Sequence, residues 1–95
     1  MDGTEAYPEH ERPVDAWCDP DMLYVRLADH RKIGVPIWWH PFLLKATRRE
    51  RATVELSASG VWWSDLDEGV SVKSMIIGWK SPTATKPESE LSYVG

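Results

Sequence analysis

Two runs of alternating apolar and polar residues constrain the fold of this 95-residue chain more than any other feature. In residues 22–27 every second residue is Leu or Val, and residues 32–37 repeat the alternation with Ile and Val. Side chains in a strand alternate between two faces, so each run predicts a strand with one buried face. Residues 28–31 connect the runs, which predicts a hairpin. His30 occupies a turn position where Gly is the easier choice, because positive φ is less favourable for residues with a Cβ.

The remaining middle of the chain predicts short strands and short helices. Pro41 suits the first position of a helix, where its missing N–H has no partner to lose. Thr47 and Glu50 match a capping box, so a helix is predicted to begin directly after Thr47. Ser71 suits an N-cap, and Gly78 suits the stop of the helix that follows it. The predicted elements are strands at 14–18, 22–27, 32–37, 54–57 and 61–64, and helices from 41, at 48–53 and at 72–77.

These elements predict an α+β fold, a small antiparallel sheet of hairpins with two or three short helices packed on one side. One domain is predicted at 14–80, between a disordered acidic arm at 1–13 and a disordered tail at 81–95. Cys18 is the single cysteine, which excludes an internal disulfide. Neither an apolar run long enough to span a membrane nor a secretory signal is visible, so a cytoplasmic protein is expected.

The net charge of −4 conceals acidic ends around a basic middle. Residues 1–21 carry seven acidic residues and one Arg, whereas residues 22–63 carry seven Lys or Arg and three acidic residues. Residues 64–95 carry five acidic residues and three Lys. Because phosphate neutralisation needs a concentrated basic face, this balance disfavours strong non-specific DNA binding.

Six tryptophans are many for so short a chain, and four of them form two adjacent pairs. Neighbours in a strand point to opposite faces, so about half of Trp38, Trp39, Trp62 and Trp63 are expected in the core. The exposed half is expected at a partner interface, because Trp is enriched among the residues that dominate binding energy.

Three acidic residues follow the second tryptophan pair. Asp is unfavourable in strands and favourable in turns, so Asp65, Asp67 and Glu68 predict an acidic turn, with Gly69 allowing the chain to reverse. The alternatives are a metal site completed by His40 or a carboxylate pair for acid–base chemistry. The spacing does not match a calcium loop, whose ligands continue over about twelve residues to a closing Glu. No nucleophile motif or phosphate-binding glycine loop is present, so no catalytic residue, cofactor or metal ligand is assigned.

A basic cluster, Arg48, Arg49 and Arg51, lies at the start of a predicted helix, where positive charge opposes the helix dipole. These residues are candidates for contacting phosphate or an acidic partner, or they form a solvated helix face. Alternatively, Arg51 pairs with Asp67 or Glu68 and holds the acidic turn against the helix.

Several segments of residues 24–78 follow one another in a recognisable order and spacing. They are Val35-Pro36-Ile37, His40-Pro41, Ala46-Thr47, Glu50-Arg51, Trp63-Ser64-Asp65-Leu66-Asp67-Glu68 and the helix 72–78. Together they resemble a family of small bacterial proteins known as domain of unknown function 2442. Two positions depart from the family pattern: His30 replaces a hairpin Gly, and Gly69-Val70 stands where the family often has Asp-Ile. The resemblance implies an α+β fold without an established reaction, in proteins that look like partners in two-gene modules of the toxin–antitoxin kind.

The sequence therefore predicts a non-enzymatic protein-interaction module, resembling an antitoxin-like or regulatory partner of a small bacterial protein. The predicted partner-binding residues are Trp39, Trp62, Trp63, Asp65, Asp67 and Glu68. Their aromatic and acidic character predicts a small, basic protein as the partner. The alternatives are a nucleic-acid-associated accessory protein that uses Arg48, Arg49 and Arg51, and a small metal-binding protein. An exposed sheet edge would also allow a homodimer.

Overall fold

The computed structural model describes residues 9–86, which form two three-stranded antiparallel sheets and three short helices. The first sheet consists of β1 (Pro13–Cys18), β2 (Met22–Leu27) and β3 (Lys32–Pro36), in that order. The second consists of β4 (Val54–Leu56), β5 (Gly60–Trp63) and β6 (Glu68–Ser71). The helices are α1 (Pro41–Leu44), α2 (Arg48–Arg51) and α3 (Val72–Ile77), and 3-10 turns span Glu9–Glu11 and Ile37–Trp39. The predicted α+β class is confirmed, with two sheets where one was expected.

The alternation along β2 places one face of the first sheet in the core. Leu23, Val25 and Leu27 are all fully buried, and β2 pairs with β3 as the predicted hairpin. The turn is closed where the Leu27 amide donates to the Arg31 carbonyl oxygen at 2.8 Å. His30 adopts a φ of 78° there, the left-handed conformation that the connection demands.

Backbone hydrogen bonds connect residues beyond both ends of the predicted domain, 14–80, to residues within it. Backbone amides of the hairpin turn donate to the carbonyl oxygens of His10 and Arg12, at 3.0 and 2.8 Å. At the other end the Ser81 amide donates to the Trp39 carbonyl oxygen at 3.0 Å. The rest of the predicted arm and tail, residues 1–8 and 87–95, lies outside the described residues.

The two short helices between the sheets begin where the sequence predicts. Pro41 is the first residue of α1. The capping box before α2 is formed in both directions, with the Glu50 amide donating to the Thr47 hydroxyl at 3.1 Å and the Thr47 amide donating to the Glu50 carboxylate at 2.9 Å. α2 ends at Arg51, two residues before the predicted end.

Arg51 connects the two helices. Its guanidinium donates to the carbonyl oxygens of Leu43 and Leu44, at 2.9 and 3.3 Å. These carbonyls lie at the end of α1, where a helix leaves acceptors without an intrahelical donor. The alternative in which Arg51 pairs with Asp67 or Glu68 is therefore wrong.

β6 is the strand that the sequence did not predict. The chain reverses earlier than expected, in the turn 64–67, where Asp67 adopts a φ of 53°. Gly69 then continues in a strand opposite Trp62, so the predicted reversal at Gly69 is wrong. A Cβ on Gly69 would lie 2.5 Å from the Trp62 ring, so the glycine allows this ring to lie across β6.

One core joins the two sheets. β1 lies beside β4, and α3 lies against β3, β5 and β6. Trp63 is the largest fully buried side chain of the core. α3 begins after the predicted cap, with the Ser74 amide donating to the Ser71 hydroxyl at 3.1 Å, and ends at Gly78 with φ at 77°. Within residues 9–86, no helix has the length and apolarity needed to cross a membrane.

Candidate functional site

An exposed tryptophan lies among acidic residues on the second sheet. Trp62 is 42% exposed, and its cross-strand neighbours are Glu55 on β4 and Gly69 on β6. Cross-strand neighbours share a face, so Glu55 and Trp62 lie on the same face of the sheet. The turn after β5 adds two more exposed carboxylates, and Glu68 adds a third at the edge of this surface, because it lies opposite Trp63 rather than Trp62. We call Glu55, Trp62, Asp65, Asp67 and Glu68 the acidic tryptophan surface.

The carboxylates of this surface lack compensating charge. Among the described residues, Asp65, Asp67 and Glu68 form no ion pair, and Glu55 accepts a hydrogen bond from the Ser64 hydroxyl. Across residues 9–86, no three His, Cys, Asp or Glu side chains gather as a metal-binding group. The surface therefore presents negative charge and one aromatic ring to solvent.

The structure separates the three tryptophans that were predicted to bind a partner. Trp63 is fully buried, its indole Nε1 donating to the Arg51 carbonyl oxygen at 3.0 Å, so its assignment to a partner surface is corrected. Alternation along β5 places it on the face opposite to Trp62, and this is the face on which Val61 also lies in the core. Trp39 is half-buried against the core and meets the Trp38 ring edge-on at 6.5 Å, with no ring contact to Trp62.

The three arginines proposed for nucleic-acid binding also separate. Arg48 and Arg49 are exposed on α2, whereas Arg51 is half-buried and bound to the backbone of α1. A contact with phosphate at this helix would therefore use two guanidinium groups rather than three.

A second surface, on the first sheet, escaped sequence reasoning. Trp17 and Tyr24 are cross-strand neighbours with ring centroids 5.6 Å apart, and Tyr24 lies over Gly34 on β3. Arg26 lies 5.6 Å from the Trp17 ring, and Lys32 lies 5.0 Å from the Tyr24 ring. The outward residues of β2, which alternate with its core residues, were the available signal. This basic aromatic face is opposite in charge to the acidic tryptophan surface.

A cleft of about 760 Å³ lies between β6, α3 and the start of α1. Its walls are partly apolar, formed by Phe42, Ile77 and Trp79. Glu68 and Gly69 of β6 also line it. The cleft volume falls within the range of about 300–1,000 Å³ that is typical of ligand sites. We call this space the β6 cleft.

His40 lines the β6 cleft and is 4% exposed. Its ring stacks on Trp79, with centroids 5.8 Å apart and planes 29° apart. The imidazole has no hydrogen-bond partner among the described residues. A buried polar group without a partner is unfavourable, so a hydrogen-bonding group that reached the imidazole from the cleft would stabilise it.

Burial lowers the pKa of His40 below its ordinary value of 6.5, because the apolar surroundings disfavour the charged ring. The unfolded chain therefore takes up a proton below about pH 6.5 while the folded chain stays neutral until its lower pKa is reached. We therefore expect the free energy of unfolding to decrease as the pH is lowered through this window, by at most about 1.4 kcal/mol per pH unit. Urea unfolding at several pH values measures it. His40→Gln should reduce the dependence of the free energy of unfolding on pH, whereas His10→Gln should leave it unchanged. An equal pH dependence in the two variants would contradict the assignment to His40.

The comparisons with known proteins address the fold. A family model described as "Protein of unknown function (DUF2442)" matches residues 13–81. A crystal structure of a protein of unknown function from Rhodospirillum rubrum ATCC 11170 superposes with a TM-score of 0.67, at 22% sequence identity. The match covers 77% of this chain and 93% of that protein. No curated protein matches the chain.

Proposed function

Because the chain belongs to the DUF2442 family, whose description names no activity, we propose a function from its own surface: a non-enzymatic protein-interaction module that binds a basic segment of a small protein. The observation that carries the proposal is the exposed Trp62 among carboxylates that form no ion pair within residues 9–86. Such a surface is complementary to Lys and Arg side chains.

The Trp62 ring is the expected anchor of the complex. A Lys or Arg positioned over an indole face gains about 0.5–2 kcal/mol, depending on how far the pair is desolvated. The ring already lies flat against Gly69, so little side-chain freedom remains to be lost on binding. Pre-organised aromatic residues of this kind carry a large share of interface energy.

The carboxylates supply attraction and orientation. Asp65, Asp67 and Glu68 lie within four consecutive residues, so their fields add at distances below the Debye length of about 8 Å. Complementary charge accelerates association and suppresses acidic partners. The interaction is therefore expected to weaken as salt concentration rises.

This role fits a regulatory partner of a small bacterial protein, in the antitoxin-like manner that the family resemblance implies. Binding through acceptors and an indole requires no nucleophile or general acid. We place the encounter in the cytoplasm, as the sequence predicts. Burial raises the pKa of the Cys18 thiol to about 11, which keeps it unreactive.

Trp62→Ala should weaken binding of the basic partner by at least about 30-fold, the effect of losing a hot spot worth about 2 kcal/mol. The partner is first captured from the native host with the tagged wild-type chain at moderate salt, and the affinity is then measured by calorimetry with the purified protein. Asp65→Asn/Asp67→Asn should reduce both the affinity and its salt dependence. The matched control, Arg48→Ala/Arg49→Ala, should bind as wild type.

Two outcomes would count against this function. An unchanged affinity in both Trp62→Ala and Asp65→Asn/Asp67→Asn would exclude the acidic tryptophan surface as the docking site. Binding of a single-stranded oligonucleotide with a steep salt dependence, lost in Arg48→Ala/Arg49→Ala, would instead favour the nucleic-acid alternative.

A further inference from the structure

We propose that the β6 cleft binds an extended peptide, which adds as a fourth strand to the second sheet and places a hydrogen-bonding side chain against His40. Two independent observations carry the proposal: a strand edge with backbone groups that are unpaired within residues 9–86, and a buried imidazole without a hydrogen-bond partner in the same range. Glu68 lines the cleft, whereas Asp65 and Asp67 do not, so the site stands whether or not the carboxylates of the turn bind a basic protein.

The first observation is the free edge of β6, which is the last strand of its sheet. The Val72 amide donates to the Ser59 carbonyl oxygen at 2.9 Å, and the register with β5 continues without a shift to Glu68. Antiparallel pairs alternate between hydrogen-bonded and non-hydrogen-bonded positions. By this alternation Gly69 and Ser71 direct their backbone groups away from β5.

The pairing of β4 with β5 leads to the same assignment. The Ser57 amide donates to the Gly60 carbonyl oxygen at 2.9 Å, so by alternation Trp62 directs its amide and carbonyl towards β4. The N–H and C=O of Trp62 therefore point away from Gly69, which lies opposite it on β6. The Ser71 carbonyl accepts a serine hydroxyl of α3 at 2.8 Å. The N–H and C=O of Gly69 and the N–H of Ser71 remain to pair with an added strand.

The cleft has room for such a strand. At about 3.3 Å per residue, the four residues of β6 present an edge about 13 Å long, which pairs with four or five residues of an extended peptide. Gly69 and Ser71 both line the cleft, so the edge opens directly into it. Alternate peptide side chains would then contact the apolar walls formed by Phe42, Ile77 and Trp79, as in other strand additions.

The second observation decides the chemistry of one peptide side chain. A neutral imidazole offers one donor and one acceptor. The hydroxyl of Ser or Thr and the carboxamide of Asn or Gln each offer both groups, so they match His40 better than a charged or apolar side chain does. The buried nitrogen gains a partner that it lacks among the described residues, which makes this contact favourable and specific.

The test uses a displayed library of random octapeptides, selected against the immobilised folded chain. The expected result is a set of peptides that share Ser, Thr, Asn or Gln at one position. Gly69 offers the one free carbonyl of this edge, so N-methylation of the single peptide amide that donates to it should weaken binding about tenfold, the value of a lost hydrogen bond of about 1.4 kcal/mol. N-methylation of each other amide should change the affinity less than about threefold. A uniform response, or no enriched peptide, would overturn the proposal.

Variants of His40 test the side-chain contact. His40→Phe should weaken binding of the polar peptide about tenfold and should not affect the same peptide with Ala at the shared position. His40→Gln, which keeps a donor and an acceptor, should restore binding. Equal binding by wild type and His40→Phe would overturn the contact. A dimer in sedimentation velocity, together with no enriched peptide, would assign the edge to a second copy instead and overturn the proposal.

The double variant Asp65→Asn/Asp67→Asn separates this site from the proposed function. It should bind the basic partner protein more weakly and bind the selected octapeptides as the wild type does. If it binds both with unchanged affinity, the proposed function fails and the peptide site stands. If the octapeptides never bind while the basic protein does, the peptide site fails alone.

Discussion

Trp63→Ala is expected to destabilise the protein by about 3–5 kcal/mol, the usual cost of truncating a fully buried large aromatic residue. The side chain has no exposed surface, it meets the Phe42 ring at a centroid distance of 5.5 Å, and it donates to the Arg51 carbonyl oxygen. The substitution leaves a cavity and an acceptor without its donor. Since small domains are stable by about 5–15 kcal/mol in total, a large fraction of the variant should be unfolded near physiological temperature.

Thermal and urea unfolding followed by far-ultraviolet circular dichroism measure this loss. A destabilisation of 3 kcal/mol corresponds to a midpoint lower by at least about 12 °C in a domain of this size. Trp62→Ala is the matched control, because it removes the same side chain from the adjacent, exposed position. It should cost less than about 1 kcal/mol. Similar midpoints for the two variants would show that burial does not distinguish the two tryptophans.

Gly60→Ala should be the next most damaging substitution, at about 2–3 kcal/mol, because the new methyl group meets backbone rather than side chain. A Cβ at this position would lie 2.4 Å from the carbonyl oxygen of Val70 and 2.8 Å from the Cα of Ser71. Neither atom can rotate away, so β5 and β6 must separate. The midpoint of urea unfolding should fall, with little change in its dependence on urea concentration.

Gly34→Ala provides the control for this prediction. A Cβ on Gly34 would also be crowded, at 2.7 Å from the Tyr24 ring, but this obstacle is a side chain on the open face of the first sheet. The ring can tilt away, so the cost should stay below about 1 kcal/mol. If Gly34→Ala were as destabilising as Gly60→Ala, the distinction between backbone and side-chain obstacles would not hold here.

The predictions that succeeded depend on neighbours in the chain. The hairpin of β2 and β3, the capping box at Thr47 and the α3 cap and stop at Ser71 and Gly78 each involve residues a few positions apart. Their physics is the alternation of a strand, the unpaired amides of a helix start and the left-handed backbone that ends a helix. These local preferences do not depend on tertiary contacts, so they can be predicted from neighbouring residues alone.

The predictions that failed depend on residues far apart in the chain. β6 has no apolar alternation of its own, and it is a strand because β5 offers it a paired edge and Trp62 covers Gly69. Alternation separates Trp62 from Trp63 but does not say which of them is inside. Trp63 is inside because Val61, on the same face of β5, also lies in the core.

By itself, the sequence determined the α+β class, the capped short helices and a surface that carries Trp62 with its acidic neighbours. These follow from local alternation, local hydrogen bonds and composition. The tertiary structure alone decided that Arg51 binds the end of α1 and that Trp63 fills the core. It also decided that His40, buried without a hydrogen-bond partner among the described residues, lies near the edge strand β6. Each depends on which elements come together around one core, and that arrangement is a property of long-range packing rather than of neighbouring residues.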